Sequence, residues 1–365
     1  MHLFISVITL SSIILISDIP AHAQSNESIS GVKDTLHYPG EKHLKNVRQL
    51  TFGGDNAEAY FSFDNKMLTF QSNDPKWNLS CDQIFLADLA KPLMSDMPKM
   101  LSTGAGRTTC SYFMPGNNSI IYASTHLDNK DCPPVPEKRT DGKYVWPIYS
   151  SFDIFTADLN GKILSQLTKT PGYDAEATVS PKGDKIVFTS MRSGDLELFT
   201  MNIDGSDVKQ VTNELGYDGG AFFSADGTRL VFRASRPRTE EEVTVYKSLL
   251  AEGLVMPSNM EIYTCNIDGS DLTKVTSLGN ANWAPFFSPS GKKIIFASNH
   301  KSVRGMPFNL FMINTDGTGL EQITFDKMFD AFPMFSFDGK KIVFSSNRNN
   351  KGTHETNLFI ADWIE

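Results

Sequence analysis

Six side chains stand at one fixed spacing in this chain. Asp74, His126, Arg192, Arg236, His300 and Arg348 each come four residues after the last aromatic of a short apolar phrase, as in "KIVFTSMR" and "KIVFSSNR". Pre-arranged guanidinium groups recognise carboxylates or phosphates through paired hydrogen bonds, and imidazoles can act as bases or metal ligands. A second polar series, Asn56, Thr108, Asp174, Asp218, Asn282 and Asp330, precedes the same phrases, with Glu58 and Glu176 two positions later. If the phrases repeat as a ring, the ligand-binding set at its centre is His126, Arg192, Arg236, His300, Arg348, Glu58 and Glu176. In a second reading the Arg and Asp series pair with each other, fix adjacent units and bind nothing. Under the first, His126 and His300 mark where the ring departs toward a ligand.

The elements that must position these residues form an internal repeat. "AEATVSPKGDKIVFTSMR" from Ala175 matches "GGAFFSADGTRLVFRASR" from Gly219, "WAPFFSPSGKKIIFASNH" from Trp283 and "AFPMFSFDGKKIVFSSNR" from Ala331. Weaker copies begin at Ala57 and Thr109. Apolar stretches follow ("DIFTADL", "LELFTMNID", "NLFIADW"), and most units close on "QLT", "QVT", "KVT" or "QIT". Each unit reads as four short strands, A to D, rich in Phe, Val, Ile and Thr and bounded by Gly, Asp, Asn and Ser. Six such units, 44 to 66 residues apart, predict an all-β, six-bladed propeller of four-stranded antiparallel blades. The phrase "NVRQLT" at Asn46–Thr51 matches strand D, and the last unit ends after strand C. An N-terminal strand should therefore complete the last blade and close the ring.

"NIDGSDVK" from Asn202 and "NIDGSDLT" from Asn266 join strands C and D. They predict tight turns rather than calcium loops, which need about a dozen residues and a distal bidentate Glu. The blade phrase "SPKGDKIVFTSMR…LELFTMNIDGSDVKQVT" resembles the repeat of TolB-type six-bladed propellers, and the resemblance spans about Asn46 to Glu365. TolB itself carries an α/β domain before its propeller, whereas only Gln24 to Lys45 precede the ring here. The resemblance extends to oligogalacturonate lyases, which use a TolB-like propeller and a metal bound by His and other side chains at the channel mouth.

The chain has 365 residues, 21% of them charged, and a formal net charge of −8. This acidic balance supplies no basic field for nucleic acid. Residues 1–23, with "LFISVITLSSIILI" ahead of Ala21-His22-Ala23, read as a signal peptide; 24–45 form a leader and 46–365 the propeller. No later stretch is long and apolar enough to span a bilayer, so the mature chain is expected in the periplasm or outside the cell, as a monomer.

Loop length varies only between strands B and C, at 127–151 in blade 2 and 237–259 in blade 4, so binding is assigned to that face. The blade 4 insert should hold a helix, with Thr239 and Glu242 as its capping box, Val243, Tyr246, Leu249 and Leu250 as its apolar stripe and Gly253 as its stop. This helix packs over its own blade or acts as a lid. Tyr144, Trp146 and Tyr149 in the blade 2 insert either stack on a ligand or form a small core for the loop. Of four cysteines, Cys265 reads as a buried thiol, and Cys110 with Cys132 is the preferred disulfide, Cys81 with either being the alternative. Cys110, His126 and Cys132 do not have a recognised zinc spacing.

No nucleophile elbow, H-E-x-x-H or phosphate-binding glycine loop occurs, so no catalytic residue, metal or cofactor is assigned. The functional expectation is an envelope propeller that binds a protein or peptide, with an acidic small ligand or saccharide as a further possibility. The alternative is a propeller enzyme acting on an acidic saccharide.

Overall fold

Strand B of each unit is buried along nearly its whole length, as in Lys185–Ser190, because it lies inside a sheet covered on both faces. This is why those segments read as continuous apolar runs instead of alternating ones. The computed structural model describes residues 36–91, 96–303 and 305–365. The expected signal peptide, 1–23, and leader residues 24–35 lie outside the described residues.

Six four-stranded antiparallel sheets make up the ring. Blade 1 holds Asp55–Phe61, Met67–Asn73, Gln83–Asp88 and Lys99–Met100. Blade 2 holds Thr108–Phe113, Ser119–Ser124, Asp153–Asp158 and Ile163–Gln166. Blade 3 runs from Asp174–Val179 to Lys209–Gln210, and blade 4 from Asp218–Phe223 to Thr273–Lys274. Blade 5 begins at Asn282–Phe287. Blade 6 comprises Asp330–Phe335, Lys341–Ser346 and Asn357–Trp363, and its outer strand is Leu44–Gln49 from the other end of the chain.

The closing "QxT" phrase has a structural cause. Thr168, Thr212, Thr276 and Thr324 each accept, through Oγ1, a hydrogen bond from the backbone N–H of Ile154, Leu198, Ile262 and Leu310 on the neighbouring strand C, at 2.8–2.9 Å. Thr51 does the same for Leu358 at 2.9 Å, and Ser102 for Ile84. The Gln two places earlier donates to the Thr carbonyl in three of these units, from Gln49, Gln210 and Gln322. The phrase therefore pins the outer strand, which in blades 1, 3, 4 and 5 is only two residues long and would be held weakly by the ladder alone.

The repeated Asp-Gly phrases are turns. Asn202 accepts from Gly205 N–H at 2.9 Å, Asp204 accepts from the Ser206 hydroxyl at 2.6 Å, and Gly205 takes φ 87°. Apolar side chains contributed by all six blades, among them Phe61, Ile121, Phe188, Val231, Phe296 and Val343, form the core between the sheets.

Candidate functional site

Every strand A carries one extra residue relative to strand B, so its register slips, for example between Ala57 and Tyr60 and between Ala175 and Thr178. At that bulge the residue two places after the strand's first polar position takes a positive φ in all six blades. Glu58 (53°), Cys110 (48°), Glu176 (58°), Gly220 (59°), Ala284 (47°) and Phe332 (54°) form this ring. Five of the six are not glycine, and a side chain in that left-handed region costs about 1–2 kcal/mol. The architecture thus repeats the conformation six times and the strain five times, while the chemistry at each position differs. All six residues line one central cavity of about 480 Å³.

The next inward layer closes the channel beneath them. Tyr60 of blade 1 meets Phe222 of the opposite blade 4 with ring centroids 5.5 Å apart, and Tyr60 also packs on Tyr112 at 5.6 Å. The cavity is therefore blind at its floor.

Its cover comes from the two long inserts. Trp146–Pro147 of blade 2 pairs antiparallel with Leu254–Val255 of blade 4, and Arg139 reaches Glu252 at 2.9 Å. Trp146 packs on Trp283 at 5.1 Å, and Trp283 Nε1 donates to the Pro257 carbonyl at 2.7 Å. Tyr144, Trp146 and Tyr149 all face the cavity. The helix Glu240–Ala251 has the capping box read from Thr239 and Glu242. It buries Tyr246 and Leu249, and the Tyr246 hydroxyl donates to Asp195 of blade 3.

The strongest electrostatic feature is a buried cluster of Glu176, Arg233 and Tyr217. Glu176 Oε1 accepts from Arg233 and from the Tyr217 hydroxyl, the latter at 2.8 Å. Its Oε2 accepts from Thr189 Oγ1 at 2.7 Å and Gly220 N–H at 2.8 Å. Burial works against the Glu176 charge, but Arg233 and these donors more than offset it and hold the carboxyl below its usual range. Glu58 has the opposite environment. Burial pushes it up to about 7, the Cys110 thiol lowers it as a hydrogen-bond donor, and the Glu176 charge raises it further. Its Oε2, shielded from solvent, has no hydrogen-bond partner. Burial raises the Cys110 thiol well above its ordinary value, so it is no thiolate. Asp82 and Arg107 complete the charged lining as an ion pair.

Of the seven residues read from the sequence as a channel-mouth set, Glu58 and Glu176 line the cavity and the other five do not. Strand B lies one strand away from the axis, so groups at its end fold back on their own blade. Arg192 donates to both oxygens of Asp174 at 3.0 Å, Arg236 pairs with Asp218, and Arg348 pairs with Asp330 at 3.2 Å and Glu41 at 2.9 Å. His126 Nδ1 lies 2.9 Å from Ser124 Oγ with its ring 4.5 Å from Phe155. His300 repeats the arrangement with Ser298 at 3.0 Å and Phe311 at 4.4 Å.

The preferred disulfide is corrected as well. Cys81 bonds Cys132, with Cα atoms 5.5 Å apart, and Cys110 is free. Cys110 sits on the innermost strand and faces the axis, whereas Cys81 and Cys132 lie in B–C loops of adjacent blades. Cys265 is a buried free thiol.

Arg233 and Arg107 were missed. The signal for Arg233 was present, because the inward position after the strand B aromatic reads Gln71, Ala123, Thr189, Arg233, Ala297 and Ser345. Only blade 4 puts a charge there, opposite the only glycine of the ring.

Residues 148–256 match the family model of the TolB beta propeller domain. Among curated proteins none matches the sequence significantly. In structure the chain is similar to a protein assigned as TolB from Agrobacterium tumefaciens, at 18% identity and TM-score 0.55, covering 87% of this chain and 97% of that one. It is similar to TolB from Acinetobacter baumannii at 18% identity and TM-score 0.50, covering 85% of this chain but 63% of that one. An oligogalacturonate lyase in complex with manganese matches at 14% identity and TM-score 0.50, over 87% of this chain and 93% of that one. These likenesses are of fold. The chain is a six-bladed β-propeller similar in fold to TolB, and its match to the TolB beta propeller domain lies in residues 148–256.

Proposed function

We propose that this protein is an exported binding module and that its working site is the blind cavity under the joined inserts of blades 2 and 4. The reading rests on the side-chain ring at the strand A bulges. It is strained at five of its six positions, chemically irregular and enclosed by long inserts that only two blades carry. Such a pocket suits the end of a protein segment or a single protruding side chain, because its floor stops anything longer from threading through. The Cys81–Cys132 bond fits a chain matured in an oxidising compartment, which supports the periplasmic or secreted assignment.

The test is to select peptides by display on the wild-type protein and titrate them against Ala284→Phe. Ala284 lines the cavity, and its counterpart in blade 6 is already a phenylalanine, Phe332, at a similar positive φ. The variant should keep the wild-type melting temperature and lose peptide binding at least ten-fold. Unchanged affinity would remove the cavity from the binding site.

A second reading, action on an acidic saccharide, is favoured by one observation: Glu58, raised to about 7, lies near the fixed charge of Glu176, which suits Glu58 to proton transfer. The manganese of the structurally similar lyase is not carried over. Among the described residues no three His, Cys, Asp or Glu are grouped to hold a metal ion. Incubation with acidic oligosaccharides, followed by the ultraviolet absorbance of unsaturated products, tests this reading. A flat trace that is the same for wild type and Glu58→Gln would reject it.

A further inference from the structure

We propose that the cavity takes an ammonium head group carried on an apolar body, with its charge on Glu58 and its body against Tyr60, Phe222 and Trp146. This rests on the cavity being the binding site, and it adds the chemistry of what enters.

Five charged residues line the cavity: Glu58, Asp82, Arg107, Glu176 and Arg233. Two pairs cancel. Asp82 holds Arg107, and both oxygens of Glu176 are occupied by Arg233, Tyr217, Thr189 and Gly220. One carboxyl remains without a counter-charge, and its Oε2 is also without a hydrogen-bond partner. A buried, unsatisfied acceptor carries a cost that a donor ligand removes. Arg107 and Arg233 each keep one buried Nε without a hydrogen-bond partner, but their charges are already met by Asp82 and Glu176, and an anionic ligand would also meet a carboxyl that repels it. A metal ion would need further donors beside Glu58, and among the described residues no such group of His, Cys, Asp or Glu exists. A single ammonium supplies both the charge and the donors.

The walls fit the same ligand. Glu58 is close enough to Tyr60 to affect its ionisation, and Tyr60 meets Phe222 across the floor with the two rings tilted at 51°. Trp146 forms part of the cover and already lies 5.6 Å from the Arg233 guanidinium carbon, so its ring is placed toward cations. Blades 5 and 6 offer Ala284 and Phe332 at the positions equivalent to Glu58. The bulge therefore does not require an acid there.

Two sources could supply this chemistry, a free amine or the N-terminus of a peptide, and the test separates them. The full-length mature protein is titrated calorimetrically with 2-phenylethylamine, 2-phenylethanol, the peptide amide Phe-Gly-Gly and its N-acetylated form, at pH 6 and pH 8. The expected result is binding of the ammonium forms at least ten-fold tighter than their neutral counterparts. Because Glu58 must be ionised to receive the charge, affinity for 2-phenylethylamine, which stays protonated throughout, should rise about ten-fold from pH 6 to pH 8; the peptide amine, which itself loses its proton near pH 8, should gain less. Glu58→Gln should abolish both the pH effect and the amine preference while the alcohol binds as before. The small amine alone binding would assign a metabolite-type ligand, and Phe-Gly-Gly binding better would assign a peptide N-terminus. Equal binding of amine and alcohol, or an amine preference that survives Glu58→Gln, overturns the proposal and leaves the cavity as a site. Absence of any binding by these probes, while displayed peptides bind wild type and not Ala284→Phe, also overturns it. Display peptides indifferent to Ala284→Phe would instead defeat the cavity reading itself.

Discussion

The Arg233 guanidinium occupies the space that a side chain on Gly220 would need. A Cβ built at Gly220 would overlap Arg233 Nη1, and one at Gly219 would crowd Glu176 and Tyr217. The Gly-Gly pair of blade 4 is thus the cradle of the Glu176–Arg233 bond, which joins blade 3 to blade 4. Gly220→Ala is expected to cost about 2–4 kcal/mol, from this overlap together with the left-handed backbone that Ala284 also adopts. Arg233→Gln should cost about 3–5 kcal/mol by leaving Glu176 buried without its cation. The double variant should cost clearly less than the sum, since the glutamine no longer fills the contested space. Urea unfolding of the four proteins gives the cycle, and strict additivity would contradict the shared-space account.

Glu58 gives the fold a distinct pH dependence. Its folded value is raised above the unfolded one, so its contribution is present below about pH 4.5 and is lost as pH rises toward about 7. Burial also raises Glu197 to about 8 and Asp218 to about 6, and both act with the same sign. The comparison with Glu58→Gln isolates the Glu58 part. Wild type should lose melting temperature relative to this variant between pH 5 and pH 7.5, and parallel curves would contradict the burial of Glu58.

The staple between blades 1 and 2 should be visible chemically. Alkylation of the denatured, unreduced protein should modify Cys110 and Cys265, and leave a peptide pair linked through Cys81 and Cys132. A loop of 51 residues is closed by that bond, so Cys132→Ser should cost about 2–4 kcal/mol. Cys110→Ser should leave the bond in place.

Arg348 ties the N-terminal segment to blade 6, and its side chain is fully buried between Glu41 and Asp330. It also donates to the Leu36 carbonyl at 2.9 Å. Glu41→Gln should cost about 1–3 kcal/mol in chemical unfolding, and an unchanged midpoint would show that this latch does not contribute.

The blades were legible in the sequence because each strand is short, apolar and closed by a turn or a "QxT" phrase whose hydrogen bonds are local. The capping box at Thr239 and Glu242 was readable for the same reason. Most of the site was not. Spacing within one blade placed Arg192, Arg236 and Arg348 correctly in series, but their side chains turn back to Asp partners in their own sheet. Whether a side chain reaches the axis depends on the strand A bulge, and the bulge leaves no residue-type signature when Glu, Cys, Ala and Phe all occupy it. The joined inserts and the Cys81–Cys132 bond are contacts between blades, which a per-blade alignment cannot register. Glu58 and Glu176 were found because they lie on the innermost strand itself.

The most direct measurement is hydrogen–deuterium exchange of the mature protein with and without a peptide selected on it. Protection should rise in the cover, at 134–149 and 252–257, and at the strand A bulges around Glu58 and Glu176. Protection confined to the short A–B and C–D turns on the opposite face, with the cover unchanged, would contradict the account.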